Sequence, residues 1–312
     1  MLAETTASRL TFAEYRFLFR AVDVIDFPEF TGSLWRGAFG HALRHLHCCG
    51  QEPHTDDCLY ARIFEPQMPE VREDAGILKT IATFPVPYVF RVQRQQARRL
   101  NPGDWFSVKL LLVAHANHYV RPIIEAMQLA GQGGLGKGYG RAMLQEVVQL
   151  PVSGNASVIY ADDIFFRAAP LEAVICPEPA TSARIHFITP VNLGDHGDSF
   201  VVERFLMGVV RRVSLLHQFY TDAPLAADFS ELKHQAPHIR HKANVWSGGW
   251  QRYSSRQQRE QPVRGWLGDI FLQGGNLADF WSYLYLGQWL HTGKSTNMGL
   301  GRYELQRVLL DT

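Results

Sequence analysis

The chain has 312 residues, 46% of them hydrophobic and 20% charged, and its formal net charge is +1. That is the composition of a globular protein able to bury a core, and the length suggests two domains of about 100–200 residues. It excludes a disordered or uniformly basic chain, so any nucleic-acid contact must come from local patches.

In chain order, Leu10 to Phe27 is β-rich, and Ser33 to about His47 has helical spacing. Ile77 to Gln93 and Trp105 to Ala114 read as strands, rich in Val, Ile and aromatics. Tyr119 to Leu129 reads as a helix, followed by the glycine-rich GQGGLGKGYGR (Gly131 to Arg141) and the strand AMLQEVVQL. The order then recurs. Ala183 to Pro190 reads as a strand, and Phe200 to Tyr220 as a helix with Val202, Phe205, Leu206, Val209, Val210, Val213 and Leu216 on one stripe. A long polar stretch precedes a strand around Gly265 to Leu272 and a helix from Leu277 to Leu290. A second glycine-rich segment, GKSTNMGLGR (Gly293 to Arg302), leads into the strand YELQRVLL.

The sequence β-α-β-β-α-β therefore occurs twice, which is the ferredoxin-like order. The expected fold is α+β: two tandem ferredoxin-like domains, residues 1–150 and 181–312, each with a glycine-rich loop before its last strand. Residues 151–180, rich in Pro, Ala, Ser and acidic residues, are the expected linker. No apolar run approaches the ~20 residues of a membrane span. The N-terminus lacks the pattern of a signal peptide, and four cysteines are too few for a disulfide framework, so the expected compartment is a reducing cytoplasm.

Closely spaced glycines let backbone N–H groups approach a phosphate. Gly136 with Lys137 and Arg141, and Gly293, Ser295, Gly299 and Gly301 with Lys294 and Arg302, are the candidate phosphate-binding residues. The plainer alternative is a tight helix-to-strand turn. Neither segment has Walker A spacing, and neither opens a helix as a dinucleotide fingerprint does.

On the first helix, Trp35, Phe39, Ala42, Leu43 and Leu46 form an apolar stripe, with Arg36, Gly37, Gly40, His41 and Arg44 opposite and His45 at the border. An RNA backbone lying across Gly37 and Gly40, with phosphates on Arg36 and Arg44, would bring His41 to a scissile linkage; the alternative is a solvated basic face. RNA cleavage without a metal needs a base for the 2′-hydroxyl, an acid for the departing oxygen and a cation for the phosphorus charge. Imidazole, with an ordinary pKa near ~6.5, suits the first two roles. His45, His47 and His291 are further candidates. Between Lys233 and Trp266, basic residues interleave with Trp246, Trp250, Arg252 and Tyr253, a mixture suited to stacking bases and tracking phosphates, or else a long hairpin with core tryptophans. Arg91 to Arg99 is a second basic run, read as a strand edge or a loop. Cys48, Cys49 and Cys58 with His47 and His54 could ligate zinc, but adjacent cysteines serve one tetrahedral site poorly and there is no CxxC pair, so the plainer reading is free thiols in a loop.

FPEFTGSLWRGAFGHALRHLHC followed by CLYARIFEP, then GLGKGYGRAML, RGWLGDIFLQG and HTGKSTNMGLGRYEL, resemble the precursor-RNA processing endoribonucleases of CRISPR systems, members of the repeat-associated mysterious protein (RAMP) superfamily. The resemblance spans nearly the whole chain. It implies metal-independent cleavage of precursor CRISPR RNA within the repeat, by 2′-hydroxyl attack, leaving a 2′,3′-cyclic phosphate. It implies a catalytic histidine near the first helix, best matched by His41, with Tyr15 and Lys294 as helpers; Arg36, from the reading of the helix face, is counted with His41 and Lys294 as a catalytic candidate. The implied partners are the repeat RNA and a CRISPR effector complex, with no cofactor or metal. The competing readings are a non-catalytic RNA-binding subunit on the same fold, and a nucleotide-binding enzyme using Gly293-Lys294-Ser295.

Overall fold

The computed structural model describes residues 10–66, 84–92, 98–194, 199–221, 227–254, 259–274 and 276–308, without the side chains of 251–254 and 259–261. The expected strand from Ile77 to Gln93 lies partly outside these residues.

The first half contains β1 (Phe12–Ala21), β2 (Ile25–Phe27), α1 (Gly32–His47), a short α2 (Leu59–Ile63), β3 (Tyr88–Phe90), β4 (Arg98–Leu100), β5 (Trp105–Val113), α3 (Val120–Gln132) and β6 (Ala142–Pro151). Alternation along β1 drives the packing. Ala13, Tyr15, Phe17 and Phe19 point to the side covered by α1 and α3, where they meet Trp35, Phe39, Ile123 and Met127 in one core. The residues between, Glu14, Arg16, Leu18 and Arg20, face the other way. The sheet runs β3-β5-β1-β6 and continues into β7 (Ser157–Ala161) and β8 (Ile164–Phe165). Part of the expected linker is thus a hairpin that widens the first sheet. Gln149 anchors the chain just beyond this hairpin, donating to the Ala169 carbonyl at 3.1 Å and accepting from its N–H at 2.8 Å. A fully buried amide side chain costs little when both ends are paired in this way.

The second half contains β9 (Ser182–Val191), α4 (Val202–Tyr220), α5 (Phe229–Gln235), β10 (Arg240–Ser254), β11 (Arg259–Gln273), α6 (Leu277–Leu290) and β12 (Tyr303–Arg307), with sheet order β10-β11-β9-β12. In both halves the four strands of the β-α-β-β-α-β run lie in the order second, third, first, fourth, all antiparallel. The fold is mixed α/β.

The two halves share their cores. Leu10, Phe12, Val89, Leu111 and Val113, from the first sheet's outer face, belong to the core of α4 and α6. Phe12 packs on Trp289 at 5.8 Å, and the Tyr220 hydroxyl donates to the Pro85 carbonyl at 2.6 Å. In return, the outer part of the β10–β11 ribbon extends beyond its own sheet and delivers Trp250 and Val263 to the first core. Among the described residues no helix is long and apolar enough to cross a membrane.

Candidate active site

Helix α1 is held at the start and at the middle of its buried face. At its start, a Cβ on Gly32 would run into the Met298 carbonyl of the second glycine segment. At its middle, a Cβ on Gly40 would run into the Phe64 ring just after α2. Gly40 is therefore a helix–helix contact, and it does not offer a surface to RNA. Gly37 does: nothing lies within 4 Å of where its Cβ would be. With His41 and His45 at successive i+4 steps and Arg44 beside them, Gly37 forms an exposed stripe spanning about 12 Å of helix.

Arg36 departs from its expected role. Its guanidinium lies 4.6 Å over the Phe64 ring, and its Nε is buried without a partner among the described residues. It neighbours the buried Tyr88 hydroxyl, whose pKa burial raises while Arg36 and Asn297 partly oppose that rise. Arg36 thus binds α1 to α2 and β3. Arg44 stays exposed, 3.3 Å from Glu52 and 5.7 Å over the Tyr60 ring. His47 is half-buried, 3.7 Å from Glu125 of α3.

Two further candidates are interior. Tyr15 is buried in β1, donating to Asn117 at 3.0 Å, and burial pushes its pKa well up. His291 is completely buried, and its Nδ1 lies 3.0 Å from the Leu300 carbonyl. Burial, then the charges of Arg91 and Arg302, hold its pKa well below the imidazole range. Its burial favours the neutral imidazole and keeps it from solvent.

The second glycine segment is a knot between the halves. Gly299 abuts the Phe90 carbonyl and Val92 at φ +95°, and Thr189 donates to its carbonyl at 2.9 Å. Gly301 and Gly293 lie against the backbones of Thr292 and Asn192. At each of these positions close backbone packing within the chain requires glycine. Lys294 and Ser295 are the exposed tip. Arg302 is half-buried with an enclosed Nε, facing Arg91, whose own pKa is lowered to about 10 by burial and by Arg302. In the first segment, Gly136 packs on the Asp26 carbonyl, and Arg141 is committed to Asp23 at 2.7 Å, while Lys137 is exposed.

The two tryptophans separate. Trp250 is 4% exposed and packs on Phe30 at 5.1 Å, so it is a core residue and not a stacking platform. Trp246 is 56% exposed, its ring lying over Gly268 and Gly248 on the hairpin. The backbone of Arg252 pairs with Gln261, and its side chain lies outside the described residues. Arg91 is a buried partner of Glu14 at 3.3 Å, not part of a solvated edge.

Two surface features escape sequence reasoning. Tyr139, in the first glycine segment beside Lys137, is 78% exposed. Trp105, Arg20 and Met143 are direct cross-strand neighbours on one open face. Strand register alone brings the latter three together, and no local spacing signals it. The cysteines also depart from expectation: Cys48, Cys49 and Cys58 converge with His54.

Residues 10–171 match the model of a family described as an N-terminal domain, AF_1859_N, and residues 185–303 match the model of the CRISPR-associated endoribonuclease Cas6. The second half of the chain belongs to the Cas6 family. No curated protein sequence matches closely enough to count as a relative. A Thermus thermophilus Cas6 in a product complex is 13% identical, with TM-score 0.55, covering 95% of this chain and 99% of its own. A partial Cas6-RT-Cas1–Cas2 complex is 12% identical, with TM-score 0.55 over 97% of this chain and 47% of that one. A second Cas6 product complex is 13% identical, with TM-score 0.50. At such identities the likeness concerns the fold. It extends over both halves of the chain, consistent with their shared cores.

Proposed function

We propose that this chain cleaves precursor CRISPR RNA within its repeat, with His41 transferring a proton at the scissile linkage and no metal taking part in the chemistry. The observation that carries the reading is the exposed stripe of α1, on which Gly37, His41, Arg44 and His45 stand together in a chain whose second half belongs to an endoribonuclease family. The stretch opposite Gly37 is bare backbone, so a sugar-phosphate chain can lie close to the helix there. The finer architecture we propose is two ferredoxin-like modules, the first extended by the β7–β8 hairpin and the second beginning near β9.

The nucleophile is supplied by the substrate. A base takes the proton of the 2′-hydroxyl, the O2′–P bond forms, the P–O5′ bond breaks, and an acid returns a proton to O5′. The products are a 2′,3′-cyclic phosphate and a 5′-hydroxyl, so atoms balance without added water or metal. His41 fills one proton-transfer role, with His45 one turn away as the second titratable group. Arg44 and Lys294 supply positive charge for the phosphorane. Trp246, Lys137 and Tyr139 offer aromatic and cationic contacts to flanking nucleotides.

The test is cleavage of a labelled repeat RNA, without added divalent ions, by wild type and His41→Ala. The variant should lose about 10²–10⁴ in single-turnover rate, the usual worth of general acid–base catalysis. A 2′-deoxy substitution at the scissile nucleotide should abolish cleavage. Equal rates for His41→Ala and wild type would remove His41 from the mechanism. Tight binding without cleavage by wild type would favour the non-catalytic RNA-binding reading.

A further inference from the structure

The loop between α1 and α2 brings Cys48, Cys49, His54 and Cys58 together, with one ligand atom from each all within 4.8 Å of one another. The His54 Nδ1 lies 3.7 Å from the Cys48 sulfur and 3.5 Å from the Cys49 sulfur. A tetrahedral zinc with Zn–S near 2.3 Å and Zn–N near 2.0–2.1 Å requires S···N edges of about 3.6 Å and S···S edges of about 3.8 Å. The two S···N distances match that requirement, and the remaining ligand-atom separations are all within 4.8 Å.

We propose that these four residues bind a single structural zinc ion, through three thiolates and the Nδ1 of His54.

Two further contacts fit a thiolate site. The Cys49 N–H points at the Cys58 sulfur at 3.4 Å, and the Gly50 N–H points at the Cys48 sulfur at 3.4 Å. Such amides offset the charge that thiolates bring to a metal. The donor set also selects the metal. Three sulfurs and one imidazole make a closed Cys3His site, which suits zinc and leaves no open position for catalysis. The fourth cysteine of the chain, Cys176, is not part of the group.

The position of the site gives the ion its role. Cys48 caps the C-terminus of α1 and Cys58 caps the N-terminus of α2. One ion would therefore tie the helix bearing His41 and Arg44 to the helix whose Tyr60 and following Phe64 pack on Arg44 and Arg36. Glu52, the partner of Arg44, lies in the same loop. The zinc would position the exposed stripe from the far end of α1 without touching the substrate.

The full chain, purified under reducing conditions without chelator from zinc-supplemented cells, should carry about one zinc per molecule by mass spectrometry of the metal. Exchange into cobalt(II) should give the thiolate-to-cobalt charge-transfer absorption and the d–d bands of a tetrahedral site. His54→Ala should weaken zinc affinity by more than tenfold in competition with a chromophoric chelator, since even loss of a supporting residue costs about 10–100-fold. Cys49→Ser should also lower the charge-transfer intensity, since two of three thiolates remain, whereas Cys176→Ser should leave both readouts unchanged. Cys58 is buried, so the two loop variants keep the test independent of folding. Absence of zinc together with failure to take up cobalt would overturn the proposal, as would full zinc retention by both His54→Ala and Cys49→Ser. These readouts do not involve RNA, so the zinc site and the His41 mechanism stand or fall separately.

Discussion

Replacing Trp250 by alanine should unfold the chain more readily, not simply weaken RNA binding. The indole is 4% exposed and sits between Phe30 and the cross-strand Val263. A tryptophan buries about 150–250 Å²; at about 25 cal/mol per Å² that is worth roughly 4–6 kcal/mol as an upper figure. Measured Trp→Ala losses in cores run about 3–5 kcal/mol. Its indole N–H has no partner among the described residues, so Trp250→Phe should recover most of the loss. Trp246, already 56% exposed, should behave in the opposite way. Its replacement should leave stability within about 1–2 kcal/mol and cost about 1–3 kcal/mol in RNA affinity, roughly 5- to 150-fold. The assay is urea unfolding beside fluorescence anisotropy with repeat RNA, for Trp246→Ala, Trp250→Ala and Trp250→Phe. A wild-type unfolding midpoint for Trp250→Ala with lost RNA affinity would refute the assignment of Trp250 to the core.

Gly301→Ala places a Cβ against the Thr292 carbonyl at φ +76°; the left-handed backbone alone costs about 1–2 kcal/mol, and the clash should raise the loss measured by urea unfolding further. Stability should fall on acidification: burial lowers the pKa of His217 to about 4 and that of His291 well below its ordinary value, so the unfolded chain binds more protons below about pH 6.5. Their contribution is complete above that pH and declines towards pH 4, at up to about 1.4 kcal/mol per pH unit for each histidine, which thermal melts between pH 7.5 and 5 would read; a flat profile would contradict their burial as neutral groups. Arg44→Ala removes an exposed ion pair and should change stability by less than about 1 kcal/mol, while reducing the salt slope of RNA binding by about one phosphate contact; an unchanged slope would take Arg44 off the RNA path.

Helices and central strands are legible in the sequence because their apolar periodicities are strong: α1, α3, α4 and α6 begin and end within a few residues of their expected bounds. The two-fold recurrence of elements is legible for the same reason. The role of the glycines is not. A glycine that admits a phosphate and one that admits a neighbouring carbonyl look alike in sequence, and only the packing of Gly299 on Phe90 and of Gly32 on Met298 distinguishes them. Trp246 and Trp250 lie four residues apart on β10, with the same strand parity, and differ because the ribbon passes from its own sheet onto the other half. The cysteine spacing argues against a cluster, yet a tight loop between two helices brings adjacent residues and a distant third around one point. Helical phase alone puts His41 and Arg44 on an exposed face, and they are exposed there.

The exchange of core residues between the halves bears on how the molecule can move. Phe12 and Val113 lie in the second core, and Trp250 lies in the first. Swinging the halves apart would strip apolar surface from both cores at once, so a clamshell opening to admit a folded RNA hairpin carries a steep energetic penalty. The same interlocking makes each half a poor candidate for independent expression, because each would expose the seat vacated by its partner. A guest strand is therefore expected to meet a rigid scaffold, and adjustment to different repeats would fall to surface loops and exposed side chains rather than to a hinge.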